Sequence, residues 1–211
     1  MWGYPCPDFL PLLVTSPHSD RLFVMPESSA RCLQWDGNAW VEQYEFSLTD
    51  EERAQIRKGI EESVIENGVL EGGPRFGEQF LEKKSQTAFA ALGLDVPVEL
   101  KYSWDPGDNK RKILRAAILR RLPEFEVLLG GATSLDVTKL GVDKSYGVQW
   151  LSKKLGIPPK DMYFVGDGLH EWGNDAVVIP TGIQTRPVTG PSETSIVLDE
   201  LLAACISSTT T

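Results

Sequence analysis

This 211-residue chain is poor in the residues that most often ligate transition metals, with two histidines and three cysteines. His18 and His170 cannot build a metal cluster by themselves. Cys6, Cys32 and Cys205 are scattered without Cys-x-x-Cys spacing, so neither a disulfide framework nor a zinc site is indicated. Positive charge is also in deficit: 21 Lys and Arg stand against 30 Asp and Glu, a net charge of -9. That balance argues against nucleic acid as a partner, because a phosphate backbone is bound by a basic face. No apolar run approaches the roughly 20 residues that span a bilayer, and no signal peptide is visible. The expectation is a protein without a membrane partner, in a reducing cytoplasm. Neither GxxxxGK[ST] nor GxGxxG is present, which removes the usual motifs behind nucleotide binding. What remains, 41% hydrophobic and 24% charged residues, is the composition of a globular chain that packs a core without disulfides.

The most informative stretch is VGDGLHEWGND, residues 165–175. The apolar run at 162–165 predicts a buried strand that delivers Asp167 to the carboxyl end of a sheet, where ligands bind in α/β folds. Gly166, Gly168 and Gly173 let the backbone turn tightly, and Asn174 and Asp175 return two more oxygen-bearing side chains. Three hard oxygen donors on one loop suit Mg²⁺, which takes one or two carboxylates plus water and phosphate oxygens. Asp, Asn and Gly are equally the ordinary residues of a capped βα turn. His170 reads as an exposed loop histidine.

Upstream, residues 133–138 alternate like a strand, and Val142-Asp143-Lys144 opens a helix. Asp143 is its expected N-cap, Val148, Leu151 and Leu155 share one face, and Gly156 with Pro158-Pro159 ends it. Lys144 thus falls in the first helical turn, where free N–H groups and the positive dipole end favour an anion. A cation there neutralises a transferring phosphoryl group, or is simply a solvated lysine.

A helix-opening lysine, an αβ unit and then GD…GND resemble the third and fourth motifs of the haloacid-dehalogenase (HAD) superfamily. The nearest likeness is to subclass IIB, the phosphomannomutase-like and sugar-phosphate phosphatase branch. Residues 77–93 (GEQFLEKKSQTAFAALG), 100–112, 122–147 and the GPSET at 190–194 are similar to that branch in order and spacing. The resemblance covers most of the chain from residue 22 onward. It implies an α/β fold with an irregular segment over 1–20, a C2-type α+β cap over 21–135, and the C-terminal part of a HAD-like Rossmannoid core over 136–211.

The resemblance also implies a Mg²⁺-dependent phosphatase or phosphomutase acting on a small phosphorylated sugar through an aspartyl-phosphate. Asp167 and Asn174 would serve the metal, Lys144 and Asp175 the catalytic step, and Lys83, Ser134 and Asp136 would face substrate from the cap. Asp175 is expected to hold the Lys144 ammonium by a hydrogen bond or ion pair. Where the branch commonly has Arg this chain has Lys83, which lacks the planar two-pronged fork. Ala90 and Leu94 stand near positions that carry Ser and Gln in the branch. Family chemistry starts from a DxDG[TV] strand end whose first Asp is the nucleophile, and no such motif occurs here. Either the first βαβ segment lies outside this sequence or the protein lacks its nucleophile. The chain as written is expected to be inactive, and a non-catalytic remnant binding metal and sugar phosphate is the alternative.

Around the motifs, strands are predicted over 22–25, 31–35 and 39–46, with Asp36-Gly37-Asn38 as a hairpin turn. Thr49 and Glu52 form a capping box for a helix toward Glu66, with Ile56, Ile60 and Val64 as its apolar stripe and Asn67-Gly68 as its end. A strand at 86–92, a basic helix at 109–122 and a strand at 124–129 complete a mixed sheet with helices on one face. Gly130-Gly131 allows close backbone approach or marks a bulge.

Overall fold

The structure, a computed structural model, describes residues 21–208, with side chains through residue 204. The segment 1–20 expected to be irregular, with Cys6 and His18, lies outside the described residues. The chain forms two compact units, Met1–Gly147 and Val148–Thr211.

The first unit holds two antiparallel sheets. In the smaller one β1 (Phe23–Val24), β2 (Arg31–Trp35) and β3 (Trp40–Glu45) pair in chain order, with Trp35 opposite Trp40. The hairpin between β2 and β3 closes because the Asp36 carboxylate accepts the N–H groups of Asn38 and Ala39 at 2.8 and 2.7 Å, while Gly37 takes a φ of 99°. Helix α1 (Asp50–Asn67) starts at the expected capping box: Thr49 Oγ1 accepts from Glu52 N–H, and the Glu52 carboxylate accepts from Thr49 N–H. Gly68 ends it in the left-handed conformation.

The larger sheet has the order β4 (Phe80–Glu82), β5 (Thr87–Ala90), β7 (Ser134–Lys139), β6 (Phe125–Leu129). Helix α2 (Val98–Ser103) and helix α3 (Asn109–Arg121) lie between β5 and β6 in sequence, and α3 packs with α1 against the sheet. Ile56 and Ile60 of α1, Leu114 and Ile118 of α3, and Val127, Leu135 and Val137 of the sheet are fully buried in one core. Truncating any of the Ile or Leu side chains among them to Ala removes about 2–5 kcal/mol of stability by the usual transfer and cavity terms. Burial alternates along β7, so Leu135 and Val137 face this core while Ser134 and Asp136 face the other side. The register sets Ala88 opposite Asp136 and Ala90 opposite Ser134, so two small, buried side chains flank the polar pair on that other face. Every pairing in this sheet is antiparallel, where the sequence reading expected a mixed one.

Helix α4 (Lys144–Leu155) opens as expected, with Asp143 Oδ1 accepting from Ser145 N–H at 2.7 Å and Tyr146 N–H at 3.2 Å. In the second unit β8 (Tyr163–Gly166) and β9 (Gln184–Pro187) pair in parallel, and α5 (Pro191–Ser208) follows. Val148, Val178 and Ile183 form its small core with Met162, Phe164 and Leu169 against them. Leu155, assigned by periodicity to the buried face of α4, is instead 46% exposed, because Gly156 ends the helix there and turns the chain away. The boundary expected at 135/136 falls inside β7, whose ladder runs to Val137 with β5 and to Lys139 with β6. The compact units divide at Gly147/Val148 instead.

Candidate functional site

Four of the expected residues gather in the first unit. Asp136 and Ser134 stand on the face of β7 away from the core, Lys83 follows β4, and Lys144 begins α4. Burial pushes the Asp136 carboxyl above its ordinary value, and the ammonium groups of Lys83 and Lys144 pull it part of the way back. The two lysines therefore act on one carboxylate, brought together from sequence positions far apart.

The Gly130-Gly131 pair lies beside this group. A Cβ added to Gly130 would fall 2.6 Å from Ser134 Oγ and 3.1 Å from Asp136 Oδ2, so glycine there is a close-approach requirement. The turn closes through Gly130 N–H to Ser134 O at 2.9 Å. Arg111, 5% exposed, secures it from beneath: its guanidinium donates to the carbonyls of Gly130 and Gly131 and to the carboxylates of Asp105 and Asp108.

Two features of this group were not singled out from the sequence. Gln86, 1% exposed, accepts from Lys83 Nζ at 2.7 Å and donates to Ser28 Oγ at 3.0 Å. Ser28 belongs to the turn Pro26–Ser29, in which Glu27, Ser28 and Ser29 have φ of 58°, 57° and 67°. Non-glycine residues rarely adopt that conformation, and nothing in Pro-Glu-Ser-Ser announces it. Contacts distant in sequence hold it: Ser85 N–H donates to Glu27 Oε2 at 2.7 Å, and Tyr44 O–H donates to Ser29 O at 3.1 Å. Ser29 also packs on Gly147 in the first turn of α4, three residues past Lys144.

The other expected residues, Asp167, Asn174 and Asp175, gather in the second unit, so the expected partners Lys144 and Asp175 belong to different units. Asp167 is exposed at the end of β8. Asp175 is 2% exposed and closes the loop on itself: its Oδ2 accepts from Gly168 N–H at 2.8 Å, and its own N–H donates to Gly168 O at 3.0 Å. The glycines are needed for this clasp, since a Cβ on Gly168 would meet the Asn174 and Asp175 side chains, and one on Gly173 would meet the Gly168 carbonyl. His170 is exposed, as expected. Asp167 lines a cavity of about 450 Å³ with Gly166, Gly190, Thr194 and Ser195.

Among the described residues no three His, Cys, Asp or Glu side chains are grouped to hold a metal ion. The donors present still match Mg²⁺ in kind: an exposed carboxylate on Asp167 and the Asn174 amide on the same loop, with one Asp175 oxygen already committed to backbone. No helix among the described residues is long and apolar enough to cross a membrane.

The family model for haloacid dehalogenase-like hydrolases matches residues 101–175, a span that contains Asp136, Lys144, Asp167 and Asp175. Among solved structures the chain is similar to an N-terminally truncated, IMP-bound IMP-nucleotidase of Plasmodium falciparum. Identity is 17%, the TM-score is 0.62, and the match covers 93% of this chain and 53% of that one. An IMP-bound substituted form of the same nucleotidase gives a TM-score of 0.63 at 17% identity, with the same coverage of 93% and 53%. The chain thus spans about half the length of these structures. At that identity the likeness establishes a shared α/β fold. No curated protein matches the chain.

Proposed function

We propose that this chain, which carries haloacid dehalogenase-like hydrolase sequence over residues 101–175, belongs to a phosphohydrolase or phosphomutase acting on a small, hydroxyl-rich phosphomonoester. The observation that supports this reading is that the Lys83 and Lys144 ammonium groups both act on the Asp136 carboxyl, beside Ser134 and the small side chains of Ala88 and Ala90. Two ammonium groups suit a phosphoryl dianion, and a carboxylate beside a serine hydroxyl suits sugar or ribose hydroxyls.

In this reading Lys144 neutralises charge on the transferring phosphoryl group, and Lys83, Ser134 and Asp136 orient the alcohol portion. Asp167 and Asn174 hold Mg²⁺, which when bound supplies positive charge to phosphate oxygens. Asp175 keeps the metal loop closed through Gly168. The substrate class includes sugar phosphates, by resemblance of the sequence, and nucleoside monophosphates, by likeness of fold to a nucleotidase. The reaction takes place in the cytoplasm, which suits three scattered cysteines without Cys-x-x-Cys spacing.

The attacking carboxylate of DxDG[TV] is not among these 211 residues. Phosphatase turnover by this chain alone is therefore expected at background, because the covalent step has no acceptor. Two proteins should be screened against sugar phosphates and nucleoside 5′-monophosphates with Mg²⁺: the chain as given, and one extended upstream through any in-frame DxDG[TV]. Turnover by the extended protein, lowered by about 10²-fold or more in Lys144→Ala and Asp167→Ala, is the expected result. Silence of the extended protein on every substrate, with ligand binding retained, would leave a non-catalytic binding module.

A further inference from the structure

Gln86 sits at the start of β5 with its side chain sealed from solvent, and a buried amide is costly unless both of its ends are bonded. Both are. Its Oε1 accepts from Lys83 Nζ at 2.7 Å and its Nε2 donates to Ser28 Oγ at 3.0 Å. The ammonium has no acceptor to offer, so the amide oxygen must face Lys83 and the amide nitrogen must face Ser28. The main chain reinforces the arrangement, since Lys83 N–H donates to Gln86 O at 2.8 Å and closes the tight turn between β4 and β5.

The far end of this bridge is rigid. Three successive non-glycine residues, Glu27, Ser28 and Ser29, hold positive φ, which costs about 1–3 kcal/mol each and persists only where surroundings over-determine it. The neighbour of Gln86 supplies part of that constraint, with Ser85 N–H on Glu27 Oε2. Gln86 therefore ties a flexible lysine to an anchored turn 58 residues away, on the side where Lys83 acts on Asp136. An unrestrained lysine loses much rotamer freedom on binding an anion, and a lysine already held loses less.

We propose that Gln86 is a positioning residue: it presents Lys83 as a preorganised phosphate ligand by bracing it against the left-handed turn at Glu27–Ser29. This rests on the reading above that Lys83 meets substrate phosphate, and its test does not depend on turnover. Inorganic phosphate is titrated into the 211-residue chain, followed at the Nζ resonance of Lys83 in ¹⁵N-lysine protein and by ³¹P line shape. The parent is expected to show a phosphate-dependent shift at Lys83. Gln86→Leu should weaken phosphate binding about five-fold or more, the size of one lost hydrogen bond to a charged group.

Gln86→Glu should keep the Lys83 signal sharp yet weaken phosphate binding, because its carboxylate still holds Lys83 but neutralises the ammonium and repels the anion. In a Lys83→Met background Gln86→Leu should change phosphate affinity by less than about two-fold, since Gln86 then has no ammonium to place. If Gln86→Leu does not fold, Ser28→Ala removes the brace alone and should broaden the Lys83 signal and weaken phosphate binding. A parent whose Lys83 ignores phosphate overturns the proposal. So does an equal loss from Gln86→Leu with and without Lys83. Turnover by the upstream-extended protein with Gln86 proved idle would remove this inference and leave the hydrolase reading standing. Phosphate capture at Lys83 without any turnover would do the reverse.

Discussion

Replacing Gly147 by Ala sets two known effects against each other. Gly147 lies inside α4, and Gly→Ala in a helix interior ordinarily stabilises by about 0.8–1.0 kcal/mol. The added methyl, however, would meet Ser29 Oγ and lie 2.8 Å from Ser29 Cβ and 3.1 Å from Met25 Sδ. Met25 can swing its thioether aside at little cost. Ser29 cannot yield in the same way, because its Cβ follows a backbone at φ 67° whose carbonyl is held by Tyr44 and whose residue is 6% exposed. Over-packing of this kind costs about 1–3 kcal/mol and here falls on a turn already under strain, so the upper part of that range applies. The net expectation is a loss of about 1–2 kcal/mol, seen as a fall of about 2–8 °C in the near-ultraviolet circular-dichroism midpoint for a chain of this size.

A second substitution identifies the cause. Ser29→Gly removes the colliding atoms and gives the left-handed position the residue that accepts it most easily. In the double variant the helix gain should reappear, with a coupling of about 1 kcal/mol or more. If Gly147→Ala alone proves about 1 kcal/mol more stable than the parent, the helical propensity has won, and the packing of α4 on the left-handed turn is not as described.

Asp175→Ala should destabilise by about 1–3 kcal/mol in urea unfolding, because it strands the Gly168 N–H in a closed loop; a neutral result would show that the clasp carries no energy. The pH responses of two carboxyls have opposite sign. Asp136 is raised by burial, so the folded chain holds its proton more tightly, and its cost to stability sets in as pH rises above the ordinary 3.8. Asp136→Asn should therefore exceed the parent in stability at neutral pH and match it below that value, and thermal melts across pH would expose the reverse ordering. For Glu45, burial works upward but hydrogen bonds from Lys84 and Ser47 outweigh it and bring the carboxyl down to about 2. Its contribution is complete above the ordinary 4.5 and is lost as pH falls toward that value of about 2. Lys84→Met should erase most of that acid-side loss, and an unchanged acid limb would disprove the assignment.

Sequence by itself determined what is settled within a few residues. The Asp36 turn, the Thr49–Glu52 capping box, the left-handed stop at Gly68 and the Asp143 cap each rest on hydrogen bonds or dihedral limits spanning four residues or fewer. The resemblance was legible to the same depth, since the segments around Lys144 and Asp167 that carry it are contiguous, and the absence of DxDG[TV] is a fact of sequence alone. Tertiary structure decided the rest. The order β4-β5-β7-β6 places Ala88 opposite Asp136, and only that register sets small side chains beside Ser134 and Asp136. Periodicity put Leu155 inside, but no neighbour covers a helix end that turns away. The positive φ of Glu27, Ser28 and Ser29 opposes their intrinsic preference and is imposed by Ser85, Gln86 and Tyr44 from elsewhere in the chain. Local patterns record what a segment prefers. A strained turn or a shared carboxylate exists only when distant segments meet, because the energy that holds it comes from partners the segment does not contain.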